Sequence, residues 1–136
     1  MGGPEVELTD EEWRQRLTPA QYEVLRRSAT EPSWSGEYLH VDSDGVFRCA
    51  GCDAELFSSD HKFESGSGWP SFDRGIAAGT IEEHVDRAFG MVRTEIRCAT
   101  CGGHLGHVFP DGPTDTGMRY CVNSLALRFD PEPATD

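Results

Sequence analysis

The sequence predicts a mainly β fold, with several short antiparallel strands behind two short N-terminal helices and a four-cysteine metal site stapling the strands together. Three observations carry this expectation. Two helix-start signatures fall in the first 30 residues. From residue 36 onward, short runs rich in β-branched and aromatic residues alternate with Gly- and Pro-rich turns. Two CxxC pairs, Cys49/Cys52 and Cys98/Cys101, stand 45 residues apart. At 136 residues the chain has the size of one domain. Within residues 1–136, the segment 9–30 reads as helical, 36–130 as the stapled β core and 131–136 as a frayed tail.

Thr9 followed by Glu12 makes a capping box ahead of Trp13 and Leu17, and Thr18 followed by Gln21 makes a second. Pro19 takes the first helical position, where its missing N–H is harmless. Tyr22, Leu25 and Arg26 continue that helix toward Ser28, and Glu31-Pro32-Ser33-Trp34-Ser35-Gly36 breaks it. Strands are expected at Val46–Cys49, Ile81–Val85, Met91–Arg97, Leu105–Phe109, Arg119–Asn123 and Ala126–Phe129.

The formal charge of −12, from 24 acids and 12 bases, disfavours nucleic acid and anionic lipid as partners. The first ten residues lack the apolar run of a signal peptide, Val6 stands where a myristoylation signal needs Ser or Thr, and no segment has the length of a membrane span. The expected location is the cytoplasm, where thiols stay reduced.

Five cysteines make an incomplete disulfide framework. Two CxxC turns can instead present four thiolates to one ion, the tetrahedral sulfur cage of structural zinc. Redox pairs or disulfides fit less well, since neither CxxC stands at a strand-to-helix junction as a thioredoxin-like motif would, and iron–sulfur ligation ranks below zinc. Cys49, Cys52, Cys98 and Cys101 are therefore the expected zinc ligands.

Cys121 is left over, in Arg119-Tyr120-Cys121-Val122-Asn123-Ser124. On a strand, Arg119, Cys121 and Asn123 share one face. A guanidinium near a thiol favours the thiolate, which makes Cys121 a candidate nucleophile; a buried structural cysteine is the plain alternative. His104 and His107 can exchange protons near neutral pH. A regular strand sends them to opposite faces, and Gly103 and Gly106 offer a bulge that would unite them. In Phe63-Glu64-Ser65-Gly66-Ser67-Gly68-Trp69-Pro70-Ser71-Phe72, the Trp69 indole is the candidate binding platform, whereas Phe63, Phe72, Trp13 and Trp34 read as packing residues. His40, His61 and His84 read as surface residues.

Taken together, these segments resemble the methionine-R-sulfoxide reductases of the B type. The match runs from about Leu17 to Phe129 and includes Gly36-Glu37-Tyr38, both CxxC pairs, Gly68-Trp69-Pro70-Ser71-Phe72, His104-Leu105-Gly106-His107-Val108-Phe109, Asp111-Gly112-Pro113 and Arg119-Tyr120-Cys121-Val122-Asn123-Ser124. The resemblance implies two small antiparallel sheets packed as a tent, and a structural zinc ion away from the active site. It implies that Cys121 attacks the sulfoxide and becomes a sulfenic acid. His104, His107 and Asn123 match groups that bind and protonate the oxygen, Arg119 one that orients the site, and Trp69 the indole holding the S-methyl group. Many members recycle through a second cysteine just before the Gly-Trp-Pro turn. Here that position is Ser67, so an external thiol such as thioredoxin is the expected reductant. Rival readings are a non-catalytic zinc module of the same fold that binds a ligand or protein, and a redox chaperone that releases zinc on oxidation.

Overall fold

The computed structural model describes residues 5–41 and 43–132. Helix α1 spans Asp10–Arg16 and α2 spans Pro19–Arg27. Both capping boxes form: the Thr9 and Thr18 hydroxyls accept from the Glu12 and Gln21 amides, and each acid or amide side chain returns to the cap N–H. Each box satisfies two amides the helix leaves open, and losing its threonine costs about 1 kcal/mol. Ser28 closes α2 in the left-handed region. Trp13, Tyr22, Val24 and Leu25 turn inward and are buried.

Among the described residues nine strands follow: β1 (Gly45–Cys49), β2 (Glu55–Ser58), β3 (Lys62–Phe63), β4 (Ser71–Phe72), β5 (Ile81–Asp86), β6 (Arg93–Cys98), β7 (His104–Phe109), β8 (Arg119–Val122) and β9 (Leu127–Pro131). They form two antiparallel sheets, one in the order β2-β1-β9 and one in the order β3-β4-β8-β7-β6-β5. Three phenylalanines join them. Phe57 stacks on Phe72 at 4.4 Å between ring centroids, and Phe47 meets the edge of Phe72 at 5.1 Å. All three are fully buried, so truncating any one to Ala should cost about 3–5 kcal/mol.

The strands differ from expectation at their ends. Met91 and Val92 lie before β6 and are exposed, because the chain there is still leaving a 3-10 turn at Ala88–Gly90. Pro131 pairs with Gly45 at the end of β9, and residues 133–136 of the expected tail lie outside the described residues. Among the packing assignments, Trp13 and Phe72 are buried, but Trp34 is 60% exposed and Phe63 only half-buried. Trp34 sits at positive φ in the turn that follows α2, with its amide donating to the Gly68 carbonyl, so its ring points away from the core. His40 is exposed, whereas His61 and His84 are half-buried.

Candidate active site and cysteine cluster

Strand β8 lies inside the larger sheet, so Cys121 has a strand on each side: it is in register with Ser71 of β4 and with His107 of β7. Alternation places Tyr120 and Val122 toward the core, where Val122 is fully buried and Tyr120 approaches Phe57. Arg119, Cys121 and Asn123 open instead onto a cavity of about 210 Å³, whose lining also includes Ser67, Trp69 and His107.

Strands β6 and β7 slip register between Ile96 and Arg97: Ile96 faces Gly106 and Arg97 faces His104, which leaves Leu105 as the extra residue of a bulge. The slip brings the two imidazoles together, with centroids 5.6 Å apart. Their surroundings differ. His107 lines the cavity and places Nε2 2.8 Å from Asp86 Oδ2. This hydrogen bond, more than the nearby Arg93, holds the Asp86 carboxyl below the usual range. His104 does not line the cavity. It is 3% exposed, and its Nδ1 lies 2.6 Å from Glu95 Oε2. Burial depresses the His104 pKa and outweighs the pull of Glu95 in the other direction. The ring is therefore neutral, donating from Nδ1, and among the described residues its buried Nε2 has no partner. Burial alone would raise Glu95, yet hydrogen bonds from Arg97 and His104 hold it below the usual carboxylate range.

Arg119 grips Asp111 through Nε and Nη2 at 2.9 and 3.1 Å and lies over the Phe109 ring. The expected depression of the Cys121 thiol by Arg119 is present but loses to burial, which leaves the pKa above its ordinary value; Ser67 and Arg119 pull it down and Glu31 adds to the rise.

Glu31 orders the far wall. Its carbonyl accepts from Trp69 Nε1 at 2.9 Å, its amide donates to Asn123 Oδ1 at 3.0 Å, and its carboxylate accepts from the Leu125 amide. Asn123 Nδ2 donates to the Leu105 carbonyl, and among the described residues its second amide hydrogen has no partner. Sequence reasoning read Glu31 only as part of a helix-breaking segment and missed Asp86 and Glu95 altogether. No local spacing marks them, because Asp86 lies 21 residues from the histidine it serves.

The four remaining cysteines gather where the β1–β2 and β6–β7 turns meet. Their sulfurs all lie within 4.8 Å of one another, with Cys49–Cys101 at 3.7 Å and Cys52–Cys98 at 3.6 Å. A tetrahedral ion with metal–sulfur bonds of ~2.3 Å needs sulfurs about 3.8 Å apart, so the cluster fits one. Without a cation, mutual hydrogen bonding, led by Cys101, drives Cys98 far down and Cys49 far up; four thiolates at this spacing need a positive ion.

Comparison with known proteins agrees with this geometry. The SelR domain family matches residues 17–131. A protein of Agrobacterium fabrum called peptide methionine sulfoxide reductase MsrB is 53% identical over 128 residues, covering 94% of this chain and 95% of its own. A Leifsonia xyli protein of the same name is 54% identical over 132 residues, covering 96% and 95%. One from Chromohalobacter salexigens is 52% identical over 127 residues, covering 93% and 96%. With two antiparallel sheets, a metal-competent cysteine cluster and a match over most of its length, the chain belongs to the SelR-domain family of the B-type methionine sulfoxide reductases.

Proposed function

We propose that this enzyme reduces the R epimer of methionine sulfoxide in peptides or proteins to methionine, with Cys121 as nucleophile. The observation that carries the reading is the convergence of Cys121, His107, Arg119, Asn123 and Trp69 on one cavity. The Trp69 indole, fixed by its bond to the Glu31 carbonyl, forms the wall for the S-methyl group. Opposite it, the second amide hydrogen of Asn123 and the His107 ring receive the oxygen. A methyl wall and an oxygen site at fixed positions around one sulfur accept one configuration.

The Cys121 thiolate attacks the sulfoxide sulfur while the oxygen takes a proton. His107 is the donor. Its Nε2–H is given to Asp86, so the proton for the oxygen leaves from Nδ1–H, which the ring carries in its imidazolium form, whereas His104 is neutral and set behind the cavity. His104 then acts by packing against His107. Arg119, braced by Asp111, supports the thiolate. The hydroxyl then passes to the Cys121 sulfur: an S–O bond to Cys121 forms as the S–O bond to methionine and the transient S–S bond break, so methionine leaves with two more electrons and Cys121 is left as a sulfenic acid. An external thiol, thioredoxin or a small thiol, attacks the Cys121 sulfur and releases water. A second thiol then frees Cys121 from the mixed disulfide. Ser67 supplies no internal thiol for this step, and the other four cysteines belong to the metal. Cys49, Cys52, Cys98 and Cys101 would hold zinc, which ties two hairpins together and takes no part in the chemistry. The chain, residues 1–136, works as a single domain in a thiol-reducing compartment, the cytoplasm.

The test supplies separate R and S sulfoxide peptides with dithiothreitol to the parent protein and to Cys121→Ser. The expected result is turnover of R alone, abolished in the variant, with a mixed disulfide trapped on Cys121. Failure of metal-loaded parent protein to turn over either epimer would overturn the proposal.

A further inference from the structure

Three serine hydroxyls lie in a line that ends on the nucleophile. Ser71 and Ser65 are 2.7 Å apart, Ser65 donates to Ser67 at 2.8 Å, and Ser67 Oγ stands 3.7 Å from Cys121 Sγ. A hydroxyl has one hydrogen to give and two lone pairs to fill. Both lone pairs of Ser67 are taken, by the Ser65 hydroxyl and by the Trp69 amide at 3.3 Å. Its single hydrogen has two acceptors in reach, the Trp69 carbonyl at 3.3 Å and the Cys121 sulfur. Ser65 is committed in the same way: it gives its hydrogen to Ser67 and accepts from the Ser67 amide and the Ser71 hydroxyl. Ser71 has a second acceptor for its hydrogen in the Trp69 carbonyl at 3.1 Å, and from Ser65 the chain runs to Ser67.

We infer that Ser67 is a catalytic residue whose hydroxyl turns from the Trp69 carbonyl to the Cys121 sulfur when that sulfur ionises, holding the attacking thiolate. This rests on Cys121 being the nucleophile, as proposed above. The neutral thiol is a weak acceptor, so the hydrogen rests on the carbonyl. The thiolate is a strong one, and a charge-assisted bond then wins. Burial opposes ionisation of Cys121, and the charged or titratable groups around it are Arg119 on its own strand, His107 across the β7–β8 ladder, Arg93 of β6 on the same cavity wall, and Glu31 behind Trp69. Arg119 has its Nε and Nη2 committed to Asp111. Its remaining N–H groups also favour the thiolate, and Ser67 adds a neutral donor 3.7 Å from the sulfur. A hydroxyl at this place thus supports the first step, where the resemblance places a thiol for the last one in many relatives.

The experiment follows alkylation of Cys121 by iodoacetamide across pH on metal-loaded protein, with the modified site mapped by mass spectrometry. It needs no sulfoxide and no turnover, so its outcome is separate from that of the enzymatic reading. For Ser67→Ala, alkylation near pH 8 should slow about tenfold and the profile should move to higher pH, as expected for one lost bond to an anion. Ser67→Thr, which keeps the hydroxyl, should restore most of the rate. Unchanged melting and metal content in both variants exclude a folding effect. An Ala variant with the parent's profile, or a Thr variant as slow as Ala, would overturn the inference.

Discussion

Glu95 and Asp86 give two neighbouring imidazoles different duties. His104 is held neutral by burial, so its folded pKa lies below the unfolded value of ~6.5. As pH falls through 6.5 the unfolded chain takes up a proton that the folded chain refuses, and stability is lost down to the folded pKa. His104→Gln should therefore flatten the fall in melting temperature as pH drops below about 6.5. Asp86 and Glu95, both depressed, give a separate loss that begins near pH 4; the substitution leaves the Asp86 share in place and alters the Glu95 share, because Glu95 loses its bond from the His104 ring. Equal declines in parent and variant from pH 6.5 would refute the neutral assignment. A second residue-level expectation concerns position 67. With Oγ 3.7 Å from Cys121 Sγ, Ser67→Cys should form a disulfide with Cys121 after one equivalent of sulfoxide, read as loss of both thiols in peptide mapping. Retention of both thiols after turnover would count against the placement. The cysteines were legible in the sequence because CxxC spacing is a local signal. So was the shared face of Arg119, Cys121 and Asn123, which follows from strand alternation. The carboxylate partners of the histidines were not, since strand pairing brings them in from 9 and 21 residues away.

Helices and long strands declared themselves through caps and periodicity. Strands β3 and β4 did not, because two residues hold no alternation, and they exist only because β8 offers a ladder to pair with. The bulge in β7 was foreseen as a use for Gly103 and Gly106, but the two glycines have different contacts. A Cβ on Gly103 would press on Leu25 of α2 at 2.9 Å, the yielding end of a side chain. A Cβ on Gly106 would lie 2.0 Å from the Cys121 carbonyl oxygen and 3.1 Å from Val122 Cα, both backbone atoms of the neighbouring strand. Gly106→Ala must therefore part β7 from β8 or twist them, at a cost of about 3 kcal/mol. It should also displace Cys121 relative to His107, so sulfoxide turnover should fall well beyond the fraction of protein unfolded. Parent-like melting in denaturant would show that the strands are not in such contact, and Gly103→Ala, expected to be milder, is the comparison.

At the scale of the molecule, the cysteine cluster ties the β1–β2 turn of the small sheet to the β6–β7 turn of the large one. The helices cover it: Trp13 and Leu25 lie over Gly51, Leu25 meets Gly103, and Arg26 donates to the Cys101 carbonyl. The phenylalanine cluster joins the same two sheets independently of any metal. These two connections should therefore be lost in different ways. Chelating the ion leaves the aromatic core in place but puts four thiols in a space where they cannot all ionise, and the turns beneath α1 and α2 should loosen first. The melting temperature should fall by about 10 °C or more, since metal bound only by the folded chain adds its binding free energy to stability. Cys52→Ser should reproduce the fall, and Trp13→Ala should lower both the melting temperature and the resistance of the ion to a chelator, because it opens the cover. Alkylation of Cys121 should change little in the chelated protein below its melting temperature, as the cavity is lined by the Ser67 and Trp69 turn, by β7 and β8, and by Arg93 at the end of β6 far from the cluster, with Glu31 behind Trp69. Loss of Cys121 reactivity in step with metal loss would show instead that the cluster holds the active site as well as the fold.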